Sequence, residues 1–354
     1  MNKLTDWIKR HQIAAFFGIT FAITWGLGFS YGDFLKQGQF LLAPLVVIAT
    51  CGPALAGIMI SAVSNTQPRQ GTRKAFWIAF FVAWGVSALV FLAHNTFFNI
   101  TPFSFAVVVF TLVAVVPVAL VIGSACSRIP TVKDYLSSLI RLRGAWGWSF
   151  LGLVLMPVLI LISVPVSNIL GREPISVYQF PDTGLVLIGL VAVKFLYQLF
   201  FFNATGEETG WRGFALPRLQ AHTNPLIAAL ILTLFWVPWH FFLWQAGGNP
   251  VLTFQYWIEM YIVTIPLSLL IVWIYNRSKG SILVAGITHA ASNTAVAFIP
   301  PPDLQGLSLT LSVAALVVIL VDRMWKKLPP DHPAVYRSPQ HTTQQLATPG
   351  AAPP

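Results

Sequence analysis

Two adjacent glutamates, Glu207 and Glu208, are the first residues of the chain that are well suited to catalysis. They follow a long apolar run and precede Arg212. Successive residues of a helix point about 100° apart, so the two carboxylates cannot face one pocket and must have different roles. Glu208 and Arg212 are four residues apart, a spacing that lets a carboxylate and a guanidinium pair on one helix face. The pattern predicts a structural pair of Glu208 with Arg212 and leaves Glu207 free to face elsewhere. Position alone also allows both glutamates to mark the cytoplasmic end of a span.

Two histidines and an asparagine lie further along the chain, at His240, His289 and Asn293. The last two are four residues apart and therefore share a helix face. A carboxylate beside an imidazole can deprotonate water, and a histidine with an asparagine can stabilise an oxyanion. Taken singly, a histidine in a membrane helix is more typical of an interhelical hydrogen bond, and the aromatic residues around His240 are also typical of an interfacial belt.

The depth of these residues favours a joint role. At about 1.5 Å per residue, Glu207 lies roughly 20 Å from the turn that ends its helix, and His240 roughly 22 Å from the start of the next helix. His289 and Asn293 lie about 14 Å and about 20 Å along a third helix. All of these helices meet the same side of the membrane, so the sequence predicts that their polar residues come together. Lys194 and Glu259, which also fall within spans, are interpreted as structural.

The elements that carry these residues must be membrane helices. The chain has 56% hydrophobic and only 9% charged residues, with a mean hydropathy of +0.72, against about 25% charged residues in average soluble proteins. A span needs about 20 apolar residues. Ten segments qualify or nearly qualify: Ile13 to Tyr31, Phe40 to Val63, Phe76 to Ala93, Phe103 to Ile122, Trp148 to Ile169, a long one from Leu185, Pro225 to Trp244, Tyr256 to Tyr275, Ser281 to Ile299 and Leu307 to Val321. The predicted fold is an all-α polytopic membrane helix bundle of about ten transmembrane helices.

The basic residues indicate the orientation of this bundle. Nearly all of the 21 Lys and Arg residues fall in alternate loops, and Lys36 and Arg172 are the two on the other side. The positive-inside rule then predicts that both termini are cytoplasmic. The net charge of +10 is explained by topology and by contact with the lipid bilayer, so no nucleic-acid partner is expected.

The sequence divides into five segments. We expect a cytoplasmic N-terminal segment at 1–12, accessory transmembrane helices at 13–184 and a catalytic transmembrane core at 185–300. A last transmembrane helix with its juxtamembrane segment occupies 301–327. Residues 328–354 are rich in Pro, Thr and Gln without apolar periodicity, which predicts a disordered tail.

Three motifs of the core resemble a known family. EETGWR, WVPWH and HAASN match the EExxxR, FxxxH and HxxxN motifs of the CAAX prenyl protease and bacteriocin-processing (CPBP, or Abi) family of intramembrane endopeptidases, in the same order and on successive helices. The resemblance covers roughly a third of the chain. One departure concerns the aromatic residue four positions before His240, which is Trp236 instead of phenylalanine, with Phe235 one place out of register. Both are expected to form a pocket wall.

The resemblance implies an enzyme that hydrolyses peptide bonds of membrane-associated or lipidated peptides and proteins. Glu207 would activate water with the help of His240, while His289 and Asn293 would hold the oxyanion. Glu208 and Arg212 would be the structural pair that fixes the site. Pro238 would kink the helix that carries His240.

No cofactor is expected, although Zn²⁺ is the alternative because family members are often classed as metalloendopeptidases. Its ligands would be Glu207, His240 and His289. The sequence lacks an HExxH motif, and asparagine is a poor zinc ligand. The predicted location is the cell membrane, as an integral multi-pass protein.

Two other classes stay open. A non-catalytic bacteriocin-immunity or scaffold protein could retain the fold, and a transporter would also contain buried charges. Transporter folds often contain a matching pair of interrupted helices in their two halves, and the sequence shows no such pair.

Overall fold

The computed structural model describes residues 3–36, 43–140, 145–171, 184–246, 251–299 and 304–337. Within these ranges all regular structure is helical, which confirms the predicted all-α fold. The α-helices are α1 (Lys3–Arg10), α2 (Gln12–Lys36), α3 (Ala43–Thr50), α4 (Gly52–Val63), α5 (Arg73–Phe97), α6 (Phe105–Ala114), α7 (Val116–Ser124), α8 (Pro130–Leu136), α9 (Trp146–Ile169), α10 (Leu185–Gln198), α11 (Leu216–Gln220), α12 (Pro225–Trp239), α13 (Phe241–Ala246), α14 (Phe254–Arg277), α15 (Ile282–Phe298) and α16 (Leu304–Val321). A 3₁₀ turn (Ser137–Leu139) follows α8, and two π-helical segments (Leu199–Glu208 and Trp211–Ala215) lie between α10 and α11.

Several of these helices are long and apolar enough to cross a bilayer. Among the described residues there are seven such stretches: Arg73–Phe97, Phe105–Ser124, Trp146–Ile169, Leu185–Gln220, Pro225–Gln245, Phe254–Arg277 and Leu304–Val321. Three shorter apolar helices cover Gln12–Gly28, Gly52–Val63 and Ile282–Phe298. The chain is therefore an integral multi-pass membrane protein. The number of ten spans and the cytoplasmic position of both termini stay predictions.

Two predicted spans are each divided into two helices. The segment from Phe40 to Val63 breaks between α3 and α4, and that from Phe103 to Ile122 breaks between α6 and α7. In both cases a proline, Pro53 or Pro117, occupies the first turn of the second helix. Proline lacks an N–H and clashes with the preceding turn, so a new helix begins at that point.

The break before α4 packs against the chain segment that carries the glutamates. A methyl group added to Gly206 would lie 2.7 Å from the Thr50 carbonyl oxygen, and one added to Gly210 would lie 2.4 Å from the carbonyl carbon of Pro53. These glycines thus let the two helix backbones approach closely, as small residues commonly do in membrane bundles. On the other side, Gly286 of α15 lies directly against Ala204.

Aromatic residues fill the core around this segment. The largest fully buried side chains include Trp211, Trp236, Trp239, Phe16 and Phe214. Phe16 belongs to α2, which the sequence assigns to the accessory helices, yet its ring stacks on Phe214 at a centroid distance of 5.2 Å. The accessory and catalytic segments thus share one apolar core, while their functional division stays a prediction.

Part of the stretch predicted to be a disordered tail is folded. Residues 328–337 pack against the end of α11, where the Gln220 amide donates to the Ala334 carbonyl oxygen at 2.8 Å and the Tyr336 N–H donates to that of Pro217 at 3.0 Å. Ala334 is fully buried. Few apolar residues occur here, so the order comes from these polar contacts, which hydropathy does not reveal. Residues 338–354 lie outside the described part of the chain.

Candidate active site

The segment that carries both glutamates is π-helical, whereas the sequence predicted a regular α-helix there. Residues Leu199–Glu208 form the first π-helical segment. The hydroxyls of Thr205 and Thr209 donate to the carbonyl oxygens five residues earlier, at Phe200 and Ala204. Wider turns of this kind are frequent at functional sites. The period of an α-helix was assumed throughout the sequence, so this change of helix type could not be detected from it.

Glu207 is the carboxylate that faces the histidine of α12. Its side chain is almost completely buried, and its Oε2 accepts a hydrogen bond of 2.7 Å from the Trp236 indole N–H. The same oxygen lies 3.6 Å from Nε2 of His240. The other oxygen accepts a long bond of 3.4 Å from the Asn203 amide. Two neutral donors therefore stabilise a carboxylate that has no cation of its own among these contacts.

His240 stands where α12 ends. Pro238 lies within the last turn, and the helix stops at Trp239, so His240 is the C-cap residue. Its Nδ1 lies 2.9 Å from the Trp236 carbonyl oxygen. A carbonyl oxygen only accepts, so Nδ1 carries the proton, and the neutral imidazole presents Nε2 as an acceptor. This acceptor faces Oε2 of Glu207.

Glu208 forms the pair with Arg212 that the spacing predicted, and it also binds His289. Its Oε1 accepts from Nη1 of Arg212 at 2.9 Å and lies 2.8 Å from Nδ1 of His289. Arg212 donates further to the Ser268 hydroxyl at 3.1 Å and stacks on the Trp236 ring at 4.3 Å. Glu208 and Arg212 are both fully buried. A charge pair at this depth needs additional hydrogen bonds, and Ser268 and His289 provide two of them. Among the described residues, Oε2 of Glu208 and Nε of Arg212 have no hydrogen-bond partner.

Asn293 reaches the same group of residues through Asn203. Its amide lies 3.4 Å from Oδ1 of Asn203, whose own amide faces Glu207. Asn293 is half-buried, whereas Asn203 is fully buried. His289, one turn before Asn293, packs edge-on against the Trp236 ring at a centroid distance of 5.2 Å. Helices α12 and α15 and the first π-helical segment thus bring all four predicted catalytic residues into one cluster.

The other sequence candidates lie apart from this cluster. The Phe235 ring stacks on Phe17 of α2 at 3.9 Å, while Trp236 contacts Glu207, so only Trp236 lies at the carboxylate. Lys194 lies over the rings of Phe98 and Tyr197, at 5.6 Å and 5.7 Å from their centroids. Such cation–π contacts explain this half-buried lysine without a catalytic role.

Glu259 is also separate from the cluster. Its Oε1 accepts a hydrogen bond of 2.8 Å from the Gln255 amide, one turn earlier on the same helix, and its side chain is half-buried. This local contact accounts for the residue. Glu259 therefore serves as a reference glutamate in the same membrane bundle.

The predicted zinc ligands do not form a metal cage. Across the described residues no three His, Cys, Asp or Glu side chains are grouped so that they could hold a metal ion. The Trp236 N–H donates to Oε2 of Glu207 and Nδ1 of His289 is bound to Glu208, which leaves a second lone pair on Oε2 and Nε2 of His289 open. Whether the site works with or without Zn²⁺ stays a prediction.

Three contributions to the site were not predicted from the sequence. Trp236 was assigned only to a pocket wall, without its indole N–H, and Asn203 was given no role in the site. Ser268 was overlooked because a lone serine in an apolar helix resembles any small packing residue. The one available signal was the presence of Trp in place of Phe, which adds a hydrogen-bond donor to the wall.

Comparison with known proteins yields matches to the part of the chain that carries the site. Residues 188–295 match a family model described as type II CAAX prenyl endopeptidase Rce1-like. The chain is also 31% identical over 145 residues to CAAX prenyl protease 2 of Methanococcus maripaludis. The aligned region covers 40% of this chain and 52% of the relative. The chain thus spans about half the length of this relative. These matches confirm the family resemblance drawn from the three motifs, and the matched range contains all of the residues that carry it.

Proposed function

We propose that this protein is an intramembrane endopeptidase that hydrolyses peptide bonds with a water molecule activated by Glu207. The observation that carries the proposal is the geometry at one carboxylate oxygen. Oε2 of Glu207 is held by the Trp236 N–H at 2.7 Å and lies 3.6 Å from Nε2 of His240. The family match of residues 188–295 supports the same activity.

A water molecule that lies beside the pair of Glu207 and His240 can contact both side chains. With Nδ1 protonated, Nε2 is an acceptor, and an ionised Oε2 is an acceptor too, so the two atoms do not bond directly. One water can donate a hydrogen to each of them, and contacts longer than about 3.5 Å often contain such a bridge. The water oxygen then attacks the peptide carbonyl carbon while its proton passes to Glu207. The tetrahedral intermediate collapses as the C–N bond breaks and Glu207 returns the proton to the leaving amine.

His289 and Asn293 are proposed to bind the oxyanion. Nδ1–H of His289 donates to Glu208, so Nε2 can donate only if the imidazole is doubly protonated. Glu208, which also pairs with Arg212, holds the His289 ring in a fixed orientation. The Asn293 amide has two hydrogens, of which one faces Asn203. The other is available to the substrate oxygen.

The mechanism requires no metal, with Zn²⁺ bound by Glu207, His240 and His289 as the alternative. Metal analysis of purified, active protein tests this point. Less than one tenth of a zinc ion per chain, with activity unchanged by a chelator, supports the metal-free mechanism. One zinc ion per chain that is lost together with activity, and restored with it, overturns it.

The substrate is proposed to be a membrane-associated or lipidated peptide that enters from the end of the bundle opposite the basic loops. Between Glu207 and the basic end, Arg212, Phe214 and Leu216 are fully buried. The side chain of His240, towards the other end of α12, is 16% exposed. By the positive-inside rule the open end faces outwards. This favours exported peptides over cytosolic proteins, in a chain that we place in the cell membrane.

New peptide termini test the function. Membranes of the native host that contain the wild type, Glu207→Gln or Glu259→Gln at matched expression are compared by mass spectrometry. We expect termini that occur with the wild type and Glu259→Gln and are absent with Glu207→Gln. Identical termini in all three membranes would instead support a non-catalytic immunity or scaffold protein.

Membrane vesicles of known orientation test the side of entry. A membrane-impermeant peptide substrate is added to right-side-out and inverted vesicles, with detergent-treated vesicles as the control. Cleavage in right-side-out vesicles only supports the proposed entry. Cleavage in inverted vesicles only overturns it while leaving the protease proposal intact.

A further inference from the structure

A cavity lies at the basic end of the bundle, and its lining does not include Glu207, His240 or His289. It has a volume of about 710 Å³, within the range of roughly 300–1,000 Å³ that is typical of ligand sites. Its walls come from α1, from the end of α4, from α8 and the turn after it, from the chain around α11, from the α14–α15 turn and from residues 332–337. We call it the basic cavity.

The basic cavity is lined by many more cations than anions. Five cationic side chains face one carboxylate, that of Asp134. The five cations are Lys9, Arg10, Arg218, Lys279 and Arg337. Topology explains why these residues share one side of the membrane, but it does not require distant parts of the chain to line a common cavity.

Arg218 is the most unusual of these cations because it is buried without a carboxylate. It is only 8% exposed, and among the described residues no Asp or Glu forms an ion pair with it. Its Nε donates to Gln12 at 2.8 Å and its Nη1 to the Phe214 carbonyl oxygen at 2.9 Å. Buried charges are ordinarily paired, so this arrangement lacks an anion.

Two aromatic rings fix the orientation of this guanidinium. It lies 3.5 Å from the Phe214 ring centroid and 3.8 Å from that of Tyr336. With two rings this close to the guanidinium, its edge is the part left to meet an anion, and the N–H groups there form the fork that suits phosphate oxygens. The hydroxyl groups of Ser64 and Ser138 also line the cavity; they accept hydrogen bonds from Gln12 and from the Ile282 N–H, so each keeps a proton that it can donate to the same oxygens.

The mouth of the cavity lies at the membrane surface. Helix α1, which contributes Lys9 and Arg10, has no buried residue, and its Leu4 and Trp7 are 61% and 43% exposed. A short helix with exposed apolar and basic residues is typical of the lipid interface. A phosphate group held here would therefore be within reach of the lipid headgroups.

We propose that the basic cavity binds a phosphate group, supplied by the headgroup of an anionic phospholipid. The cations of α1, α11 and the α14–α15 turn would surround the phosphate, and Arg218 would bind it edge-on. This inference concerns a site separate from the candidate active site and does not depend on the proposed protease activity.

Lipid binding by the purified full chain tests the proposal. Affinity for phosphatidylglycerol and for phosphatidylcholine is measured by native mass spectrometry, with wild type, Lys9→Gln/Lys279→Gln and Arg69→Gln/Arg73→Gln. The second double variant removes the same charge from exposed residues of the same predicted side, outside the cavity lining. Each cation near an anionic headgroup contributes about a factor of five, so the cavity variant is expected to lose affinity about 30-fold. We expect the control to change by less than threefold.

The outcomes separate the possible sources of the phosphate. Preference for phosphatidylglycerol that is lost in the cavity variant alone supports the proposal. Equal loss of affinity in both double variants would show general attraction to the charged surface and overturns the proposal. Equal binding of both lipids would show no preference for an anionic headgroup and overturns it as well. If millimolar inorganic phosphate displaces the lipid from the wild type, the cavity binds phosphate, and the assignment of its source to phospholipid is overturned in favour of a soluble compound.

Discussion

The indole N–H of Trp236 donates to Oε2 of Glu207 at 2.7 Å, and the same oxygen lies 3.6 Å from His240 Nε2. Trp236 and His240 are one turn apart on α12, and the Trp236 carbonyl oxygen also accepts from the His240 ring. A single helical turn therefore orients the carboxylate and the imidazole together. The arrangement links an aromatic residue of the pocket wall directly to the proposed base.

Replacing Trp236 by phenylalanine is expected to slow peptide hydrolysis about tenfold, because a buried hydrogen bond to a charged group contributes about 1.5 kcal/mol or more. The ring that forms the wall is kept, and phenylalanine is the usual residue of the family motif, so activity is reduced but not abolished. The matched control is Trp239→Phe in the same helix, whose indole donates to Thr24. We expect it to lower the melting temperature with a smaller effect on the rate per folded molecule. Equal rates for the wild type and Trp236→Phe would contradict a role for the N–H.

The Glu208–Arg212 pair gives a second prediction. Arg212→Leu leaves Glu208 buried without its cation, which is expected to cost about 3–5 kcal/mol of folding free energy. Arg277→Leu removes an arginine whose side chain is 51% exposed and pairs with Asp322, so its cost should be about 1 kcal/mol or less. Unfolding in detergent, followed by circular dichroism, measures both.

The double variant Glu208→Gln/Arg212→Leu separates folding from function. Removing both charges is expected to recover most of the stability lost in Arg212→Leu, since no unpaired charge stays buried. Hydrolysis is expected to stay at least tenfold below the wild type because His289 loses the carboxylate that orients it. Full recovery of both properties would show that the pair is structural only, without influence on His289.

Gly210 packs against the backbone of Pro53, which predicts a strong effect of a single methyl group. Gly210→Ala would place its Cβ 2.4 Å from the Pro53 carbonyl carbon, so the two segments must move apart. Overpacking of this kind costs about 1–3 kcal/mol. Gly85→Ala in α5 is the control, since nothing lies within 4 Å of its added Cβ. We expect the control to be neutral or slightly stabilising, and an equally well-tolerated Gly210→Ala would contradict the close packing.

Asp322, just beyond α16, predicts a pH dependence of stability. The hydrogen bond from Arg277 lowers the pKa of this carboxyl below its ordinary value, with a further contribution from the Trp273 N–H. A lowered pKa in the folded state means that the stabilisation is present above about pH 4, the ordinary value for Asp, and is lost as pH falls through the lower folded value. Asp322→Asn should therefore lower the melting temperature at pH 7 but have no effect well below pH 4. Asp331→Asn, the control outside this contact, should have little effect at either pH.

The sequence was sufficient for the fold class and for the grouping of Glu207, His240, His289 and Asn293. Apolar length indicated membrane helices, and the i, i+4 spacing identified the Glu208–Arg212 pair, because both are local features of the sequence. The π-helical segment, the Trp236 donor and Ser268 depend on contacts between distant segments, which no local pattern encodes. The same reason applies to residues 328–337, whose order depends on Gln220 and Pro217.

The central claim is that Glu207 activates the attacking water, and the rate of peptide hydrolysis by purified protein tests it most directly. Wild type, Glu207→Gln and Glu259→Gln are compared in detergent on a peptide cleaved by the wild type, after their melting temperatures have been shown to match. Without its base, Glu207→Gln is expected to lose at least a factor of about 10³ in kcat, near the middle of the range for general acid–base catalysis, while Glu259→Gln keeps the wild-type rate. A Glu207→Gln rate within tenfold of the wild type would contradict the account.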